Sequence, residues 1–367
     1  GTVVKEENWV RTFLAQKIAH KPGTQFMYNS AATYMCSAIV QKVTGKTVLD
    51  YLTPRLFEPL GISGMKWETC PRGINTGGWG LSIQTEGLAK FGQLLLQKGQ
   101  WDGRQLLPAA WIDEATRFHI QQPGGDKPDR PKAKNDWLHG YQFWRCQGTA
   151  FRGDGAFGQF TVVLPEQDAV IVMTGENKNM QGQLDLVWKH LLPAFGAKND
   201  GDSGLPGKLA SLKLVPPSGQ AASSHGGRIN GKLFALEKND LGLTAASFFF
   251  EGGKCVFRVQ AESSKHEVSC GHDGWHRCEA AMPGTPPRLI AGGKPRDPAT
   301  SRIAAHATWT DDDTLVMTWR YYETPHGDTL TCRFDGEGVT ITFLNSITAM
   351  NPKARDSRAP LRGRIIS

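Results

Sequence analysis

Hydrophobic residues recur every three or four positions through much of the first half of the chain, the spacing of an amphipathic helix. The predicted helices cover residues 8–20, 31–43, 48–56, 85–98 and 108–117. Ser30 stands at an N-cap position for the second helix, and Pro54 would stop the third at Thr53 rather than residue 56. Apolar runs at 141–145, 149–152, 158–164 and 169–174 predict strands, and 184–195 predicts a further helix. The first part of the chain is therefore a helical lobe with an antiparallel sheet.

The hydrophobic period changes to two in the last third of the chain, which indicates half-buried strands. The predicted strands are 232–236, 245–251, 254–260, 266–272, 304–309, 314–322, 329–334 and 339–343. Short strands separated by Gly and Asp turns favour an antiparallel barrel or sandwich. The stretch 196–227 is rich in Gly, Ser and Pro, and we interpret it as a linker. The predicted domains are thus 1–195 and 228–367.

Composition and charge narrow the possible functions. The chain has 42 Lys and Arg against 35 Asp and Glu, a net charge of +7, but these cations are scattered rather than clustered. Together with the lack of a Gly-rich phosphate loop, this argues against nucleic acid as a partner. No apolar run approaches the length of about 18 residues that a membrane-spanning helix needs. The opening Gly1 lacks both an initiator Met and a leader pattern, so we expect a processed, truncated or recloned terminus.

A group of possible metal ligands lies near the turn Asp273-Gly274. Cys270, His272, His276 and Cys278 have zinc-like spacing. A two-residue hairpin at this turn would pair His272 with Trp275 and Cys270 with Arg277. Cys270 and His272 would then lie on one face, and His276 and Cys278 on the other. Four ligands could not then converge on one ion, and we predict no metal site. Trp275 is expected to be a core or barrel-mouth aromatic residue.

Tyr28 stands where a loop meets the helix predicted at 31–43. A Tyr in such a place can be held with its hydroxyl facing a cleft. Its phenol, with an ordinary pKa near 10, transfers protons well only when a nearby cation stabilises the phenolate. The alternative is a structural role, in which the ring packs and the hydroxyl bonds a backbone carbonyl.

Four motifs occur in a fixed order along the first domain. They are Pro22-Gly23-Thr24 with Phe26 and Tyr28, then Phe57-Glu58-Pro59-Leu60-Gly61, Gly77-Gly78-Trp79-Gly80-Leu81-Ser82, and Gly153-Asp154-Gly155-Ala156-Phe157-Gly158-Gln159. In this order the chain resembles the serine hydrolases of the β-lactamase and penicillin-binding-protein type, particularly class C β-lactamase-like esterases, amidases and peptidases. The resemblance implies an α+β fold, N-terminally incomplete, with the all-β barrel or sandwich as an accessory domain.

The resemblance also implies a mechanism. A Ser in a Ser-x-x-Lys motif attacks an ester, amide or lactam carbonyl and forms an acyl-enzyme. By resemblance Tyr28 moves protons, and the backbone N–H of Phe157, on the edge strand after the last motif, helps to hold the oxyanion. The residues expected to contact the substrate are Asn29, Ser30, Trp79, Asp154, Gly155 and Ala156. Neither a metal nor an organic cofactor is implied, and family members are often periplasmic or secreted. For Trp79 a packing role in the lobe is the alternative.

Two positions depart from the family pattern. Ser30 stands where an Asn is expected two residues after the Tyr, with Asn29 displaced by one position. Asp154 stands where the family has Lys or His. A carboxylate does not attract a substrate carboxylate, so we expect a neutral or cationic ester, amide or peptide rather than a penicillin. A purely structural role for Asp154 is the alternative.

The nucleophile is the largest departure. Ser63-Gly64-Met65-Lys66 and Thr2-Val3-Val4-Lys5 both fit the spacing, but neither stands in the family context. We therefore expect the nucleophile in an N-terminal portion missing from the sequence or in a separate N-terminal fragment. Without that portion, the hydrolase domain should expose apolar surface. The alternative function is a non-catalytic binding or regulatory protein that retains the fold.

Overall fold

The computed structural model describes residues 6–121, 138–196, 204–285, 300–351 and 353–366. The chain divides into two compact units, Gly1–Lys198 and Asn199–Ser367. All seven cysteines lie within the described residues, and all are free thiols.

The first unit begins as a helical lobe. Its helices are α1 (Trp9–Leu14), α2 (Ser30–Thr44), α3 (Val48–Leu52), α4 (Thr85–Leu96), α5 (Ala109–Thr116) and α6 (Met180–Leu186). The prediction of Ser30 as N-cap is wrong. The cap of α2 is Asn29, whose side-chain oxygen accepts hydrogen bonds from the N–H groups of Ala31 and Ala32.

Three predicted helices differ in extent from those observed. Helix α1 ends at Leu14 instead of residue 20. Helix α3 does not stop at Thr53 but continues as the π-helical turn Thr53–Phe57, which accommodates Pro54 near its start, where a missing N–H costs little. Helix α6 begins earlier than predicted and continues as the π-helical turn Val187–Leu191.

The sheets of the first unit are antiparallel. Two small ones pair β1 (Lys66–Trp67) with β2 (Leu81–Ser82), and β3 (Gln100–Trp101) with β4 (Arg104–Gln105). The main sheet has six described strands, β5 (Ile120–Gln121), β6 (Leu138–His139), β7 (Trp144–Arg145), β8 (Phe151–Gly155), β9 (Gln159–Leu164) and β10 (Ala169–Met173), in the order β10-β9-β8-β7-β6-β5. The strand predicted at 149–152 extends further, so Asp154 and Gly155 belong to β8.

Helix α4 packs directly on the main sheet. A Cβ atom at Gly92 would lie 2.5 Å from Val170 Cγ1, so a glycine is required for this close approach. The neighbouring Leu95 is buried with Val163 of β9. This contact joins the helical lobe to the sheet that carries the last motif.

The second unit is built from strands. After α7 (Gly204–Ser211) and α8 (Ser224–Ile229) come β11 (Leu233–Leu236), β12 (Leu243–Glu251), β13 (Lys254–Ala261), β14 (Lys265–Gly271), β15 (His276–Ala280), β16 (Ser301–Asp311), β17 (Thr314–Tyr321), β18 (His326–Asp335), β19 (Gly338–Asn345), α9 (Ser346–Ala349) and β20 (Leu361–Ile365). Helix α7 and the first four residues of α8 lie in the stretch 196–227 that the sequence indicates as a linker. Strands β15 and β20 were not predicted.

The second unit is a closed barrel rather than a sandwich. Nine strands follow one another from β14 through β13, β12, β11, β20, β19, β18 and β17 to β16, and the bridge between Gly271 and His306 closes the ring. The alternating inward residues fill the interior, as in other small barrels. Its largest buried side chains are Trp309, Trp319, Tyr321, Phe234, Phe248, Phe257 and Phe334.

Strand β15 corrects the hairpin predicted at Asp273-Gly274. It pairs with β16, where Arg277 lies opposite Ala304, and not with β14, so Arg277 does not oppose Cys270. Cys270 is fully buried, whereas Cys278 is partly exposed. Trp275 is also partly exposed, and its indole N–H donates to the Leu214 carbonyl at 2.8 Å.

Candidate active site

Tyr28 immediately precedes the cap of α2 and is 66% exposed. Its ring stacks on Trp144 of β7 with centroids 6.5 Å apart and planes 13° apart. Phe26 meets the same indole edge-on at 6.0 Å. Because Trp144 is buried, these contacts fix the loop before α2 against the sheet. Tyr28 is thus an exposed phenol with a fixed ring.

The two residues after Tyr28 belong to the helix start. The Asn29 side-chain oxygen lies 3.0 Å from the Ala31 nitrogen and 3.2 Å from the Ala32 nitrogen. This oxygen is therefore engaged in capping. Ser30 is the first residue of α2 and is half-buried.

The Gly-rich loop packs against α2. A Cβ atom at Gly77 would lie 2.8 Å from the Thr33 carbonyl oxygen, and one at Gly78 would lie 2.7 Å from that of Ser30. The half-buried ring of Trp79 stacks on Trp9 at 5.8 Å. The loop thus supports the start of α2 from the side, and the stack of the Trp79 ring on Trp9 is a packing contact.

The substitution Gly78→Ala is expected to lower the free energy of unfolding of the first unit by about 1–3 kcal/mol, because its methyl group would overlap the backbone of Ser30. Chemical denaturation measures this change. Gly175→Ala is the matched control, since a Cβ atom there meets nothing within 4 Å. Equal unfolding midpoints for the two variants would contradict the close packing of the loop on α2.

Asp154 is paired with a buried cation. Both side chains leave β8 on the same face, two residues apart, and Arg152 Nε lies 2.8 Å from Asp154 Oδ1 while Nη2 lies 3.2 Å from Oδ2. Arg152 is 0% exposed and also donates from Nη1 to Cys146 Sγ at 3.1 Å. Its guanidinium lies 6.0 Å from the Trp144 ring. Asp154 therefore does not present an uncompensated negative charge.

Electrostatics favours the charged form of Arg152. Burial alone would lower the pKa of its guanidinium, but Cys146 and Asp154 outweigh this effect and raise the pKa above its ordinary value. The pair is consequently a bidentate ion pair in a largely dry environment.

Phe157 lies at the tip of the hairpin between β8 and β9, rather than on a strand, which corrects the prediction of an edge-strand position. Its backbone is left-handed, with φ of 68°. Gln159 Nε2 donates to the Ala156 carbonyl at 3.1 Å. In a trans peptide the N–H points opposite to the carbonyl, so this bond also orients the Phe157 N–H.

The hairpin is further attached to the segment after β10. The Phe157 carbonyl accepts a hydrogen bond from the Asn177 N–H at 2.8 Å, and Gln159 Oε1 accepts one from the Gly175 N–H at 3.1 Å. Gly155 pairs with Gln159 at the end of the ladder, and Ala156 begins the turn. The geometry of the turn is thus set by several bonds outside it.

The structure brings most of the predicted site residues onto one connected set of contacts. The Tyr28 ring stacks on Trp144, and the Arg152 guanidinium lies over the same indole. Arg152 in turn forms an ion pair with Asp154, on the strand that leads to Phe157. This set of contacts adds Trp144, Arg152 and Gln159, which sequence reasoning did not select as candidate site residues. The alternation of a strand extended to Gly155 would have placed Arg152 beside Asp154.

Ser63 does not have the geometry of a nucleophile at a helix start. It is exposed in the coil between the turn Thr53–Phe57 and β1, and Lys66 begins that strand. Thr2 and Lys5, the second match, lie outside the described residues.

Among the residues that the structure describes, no three His, Cys, Asp or Glu side chains are arranged to hold a metal ion. Within the same ranges, none of the helices has both the length and the apolarity for a membrane span.

Comparison with known proteins identifies the first unit. The family described as Beta-lactamase matches residues 2–189. No curated protein matches the chain. Solved structures similar to it include a "putative 6-aminohexanoate-dimer hydrolase" from Bacillus anthracis (25% identity, TM-score 0.41, 49% of this chain and 48% of that one). A β-lactamase from Mycobacterium bovis aligns at 23% identity and a TM-score of 0.35, over 46% of this chain and 66% of that one.

A third structure aligns over most of the chain. It is an octameric penicillin-binding protein homologue from Pyrococcus abyssi, at 12% identity and a TM-score of 0.35, over 98% of this chain and 70% of that one. The chain thus spans about half the length of the Bacillus protein and just under two thirds of the Mycobacterium protein.

Proposed function

Because the chain belongs to the β-lactamase family, we propose that it is part of a serine hydrolase that cleaves a neutral ester or amide through an acyl-enzyme. Tyr28 moves protons in this reaction, and the Phe157 N–H donates to the oxyanion. The observation that carries the proposal is the stack of Tyr28 on Trp144, beside the strand that carries Asp154.

The position of Tyr28 suits proton transfer. A general base must have a fixed place and an accessible hydroxyl. The ring stack provides the first condition, and the exposure of the residue provides the second. The cation that a phenolate needs would be the Lys of the nucleophile motif, because the guanidinium of Arg152 is already shared by Asp154 and Cys146.

The hairpin tip suits oxyanion binding. A preorganised backbone N–H stabilises developing negative charge without reorganising during the reaction. The bonds from Gln159 to Ala156 and from Asn177 to Phe157 hold the two peptide groups on either side of Phe157. Gln159 is therefore proposed as a positioning residue.

The proposed neutrality of the substrate follows from the pairing of Asp154. The family position that holds a cation here carries a carboxylate whose charge is largely balanced by Arg152. Such a pair attracts neither a carboxylate nor an ammonium group strongly. A neutral ester or amide is therefore favoured over both a penicillin and a cationic substrate.

The nucleophile is proposed to lie outside the described residues, because Ser63 stands in a coil rather than at a helix start. Incubation with a fluorophosphonate, followed by intact-mass measurement, tests this directly. We expect no adduct on the folded 367-residue chain. One adduct per molecule is expected on the protein expressed from its complete reading frame. An adduct on Ser63 would refute the proposed location.

Tyr28→Phe in the protein from the complete reading frame is expected to lower kcat/KM for a short-chain chromogenic ester by about 100-fold or more, the usual effect of losing a proton-transfer group. Tyr322→Phe, an exposed Tyr of the barrel unit, is the control. Equal activity of the two variants would remove Tyr28 from the mechanism. A complete protein that reacts with neither probe would instead be a non-catalytic binding protein.

A further inference from the structure

An apolar groove lies between α1 and α2, outside the contacts described for the active site. This open groove has a volume of about 670 Å³. Its lining residues are Asn8, Val10, Arg11, Leu14, Met35, Ala38, Ile39, Gln41, Lys42, Val43, Arg72 and Ile74. Leu14 is 68% exposed and Val43 is 78% exposed, so water contacts much of this apolar surface. Such a concave surface is typical of a binding site.

The groove has the form that receives a helix. Its α1 side is formed by Val10 and Leu14, four positions apart, and its α2 side by Met35, Ile39 and Val43 at the same spacing. Residues at this spacing form a ridge along a helix, and a third helix packs between two such ridges. The ridge on α2 is about 12 Å long at 1.5 Å per residue, which matches two to three turns of a bound helix.

The charges at the groove have one sign. Arg11, Lys42 and Arg72 all line it and are exposed, while no Asp or Glu does so. No described carboxylate forms an ion pair with these three side chains. Charge complementarity therefore selects a partner with carboxylates beside its apolar stripe.

We propose that the groove between α1 and α2 binds an amphipathic helix of a partner protein, with a leucine-rich face in the groove and acidic residues flanking it. The mode is that of a helix laid into a hydrophobic groove. The proposal does not depend on the hydrolase chemistry, because none of the lining residues belongs to the proposed active site.

A synthetic probe tests the proposal with the whole 367-residue chain. The probe is a fluorescein-labelled 14-residue peptide, with Leu at positions three and four apart and Glu on both flanks of the Leu stripe. A peptide of the same composition with its Leu positions scrambled is the control probe. Fluorescence anisotropy should show saturable binding of the first peptide only, weakened by a rise in salt from about 0.05 to about 0.5 M.

Matched variants locate the binding surface. Leu14→Asp is expected to weaken binding at least about tenfold, whereas Leu212→Asp, with 69% exposure in the other unit, should change it less than about twofold. Both leucines are exposed, so neither substitution should unfold the chain. Equal effects of the two substitutions would overturn the proposal.

A charge reversal tests the polarity of the partner. Lys42→Glu should weaken binding of the Glu-flanked peptide and strengthen binding of a Lys-flanked peptide, whereas Lys46→Glu, outside the groove, should do neither. Two other occupants compete for the groove. One is the N-terminal portion expected outside the sequence, and loss of peptide binding in the protein from the complete reading frame would overturn the proposal in its favour. The other is a second copy of the chain, which sedimentation velocity of the chain alone examines. A dimer that Leu14→Asp dissociates would overturn the proposal in favour of a second copy of the chain.

Discussion

Replacing Arg358 with Ala is expected to lower the free energy of unfolding of the barrel unit by about 3–5 kcal/mol, because it leaves two buried carboxylates without their cation. Arg358 Nη2 donates to Asp328 Oδ1 at 2.5 Å and to Asp356 Oδ2 at 2.8 Å, and Nε donates to Asp356 Oδ1 at 2.9 Å. Tyr321 donates its hydroxyl to the other oxygen of Asp328 at 2.7 Å. Urea denaturation followed by Trp fluorescence measures the loss.

Arg364→Ala is the control for this substitution. Arg364 lies on β20 and is exposed, so removal of its charge should change the stability by no more than about 0.5 kcal/mol. A loss of stability no larger for Arg358→Ala than for the control would contradict the role of Arg358 in holding the segment after α9 to the barrel.

The ion cluster of Arg358, Asp328 and Asp356 makes the stability of the barrel unit depend on pH. Burial would raise the pKa of Asp356, but hydrogen bonds from Arg358 outweigh burial and lower this pKa to about 2, below the ordinary value of 3.8. A carboxyl group whose pKa is lower in the folded state stabilises the protein at any pH above its unfolded-state pKa. This contribution to stability is lost as the pH falls from about 4 to about 2. In Arg358→Ala the unpaired carboxylates should instead favour protonation, so the stability of the variant should rise on mild acidification.

The barrel could be predicted from the sequence in large part, because one face of most strands is buried and the hydrophobic period is two. Strand β15 was missed because its burial is weak, with Arg277 and Glu279 exposed. Strand β20 was missed because Gly363 stands between Arg362 and Arg364, which leaves only Leu361 and Ile365 as large apolar positions. Closure at Gly271 and His306 rests on a single bridge, which a hydrophobic pattern cannot indicate.

The candidate site, like the barrel, could be predicted only in part from the sequence. Tyr28 and the hairpin at Phe157 could be selected as candidate site residues because motifs preserve their order along the chain. The stack of Tyr28 on Trp144 depends on the three-dimensional approach of residues 116 positions apart, which no local pattern encodes. The Arg152–Asp154 pair is local, and it was missed because the predicted strand ended at Arg152, two residues before Asp154.

Asp154→Ala is expected to destabilise the first unit by about 3–5 kcal/mol, because a guanidinium that is 0% exposed loses its carboxylate. For a unit of this size, the loss corresponds to a fall in Tm of roughly 10 °C. Differential scanning calorimetry measures it, and Asp185→Asn, an exposed carboxylate on α6, is the control.

The double variant Arg152→Met/Asp154→Leu decides what the pair contributes. Replacing a buried ion pair by apolar side chains of similar volume is often neutral, so the double variant should recover most of the stability lost in Asp154→Ala. Arg152→Met alone should leave Asp154 uncompensated and raise the relative kcat/KM for cationic over neutral esters in the complete protein. If the double variant is no more stable than Asp154→Ala, the loss comes from packing rather than from an unpaired charge. If Arg152→Met leaves the preference unchanged, the charge of Asp154 does not reach the substrate, and its neutralisation by Arg152 serves the fold rather than substrate selection.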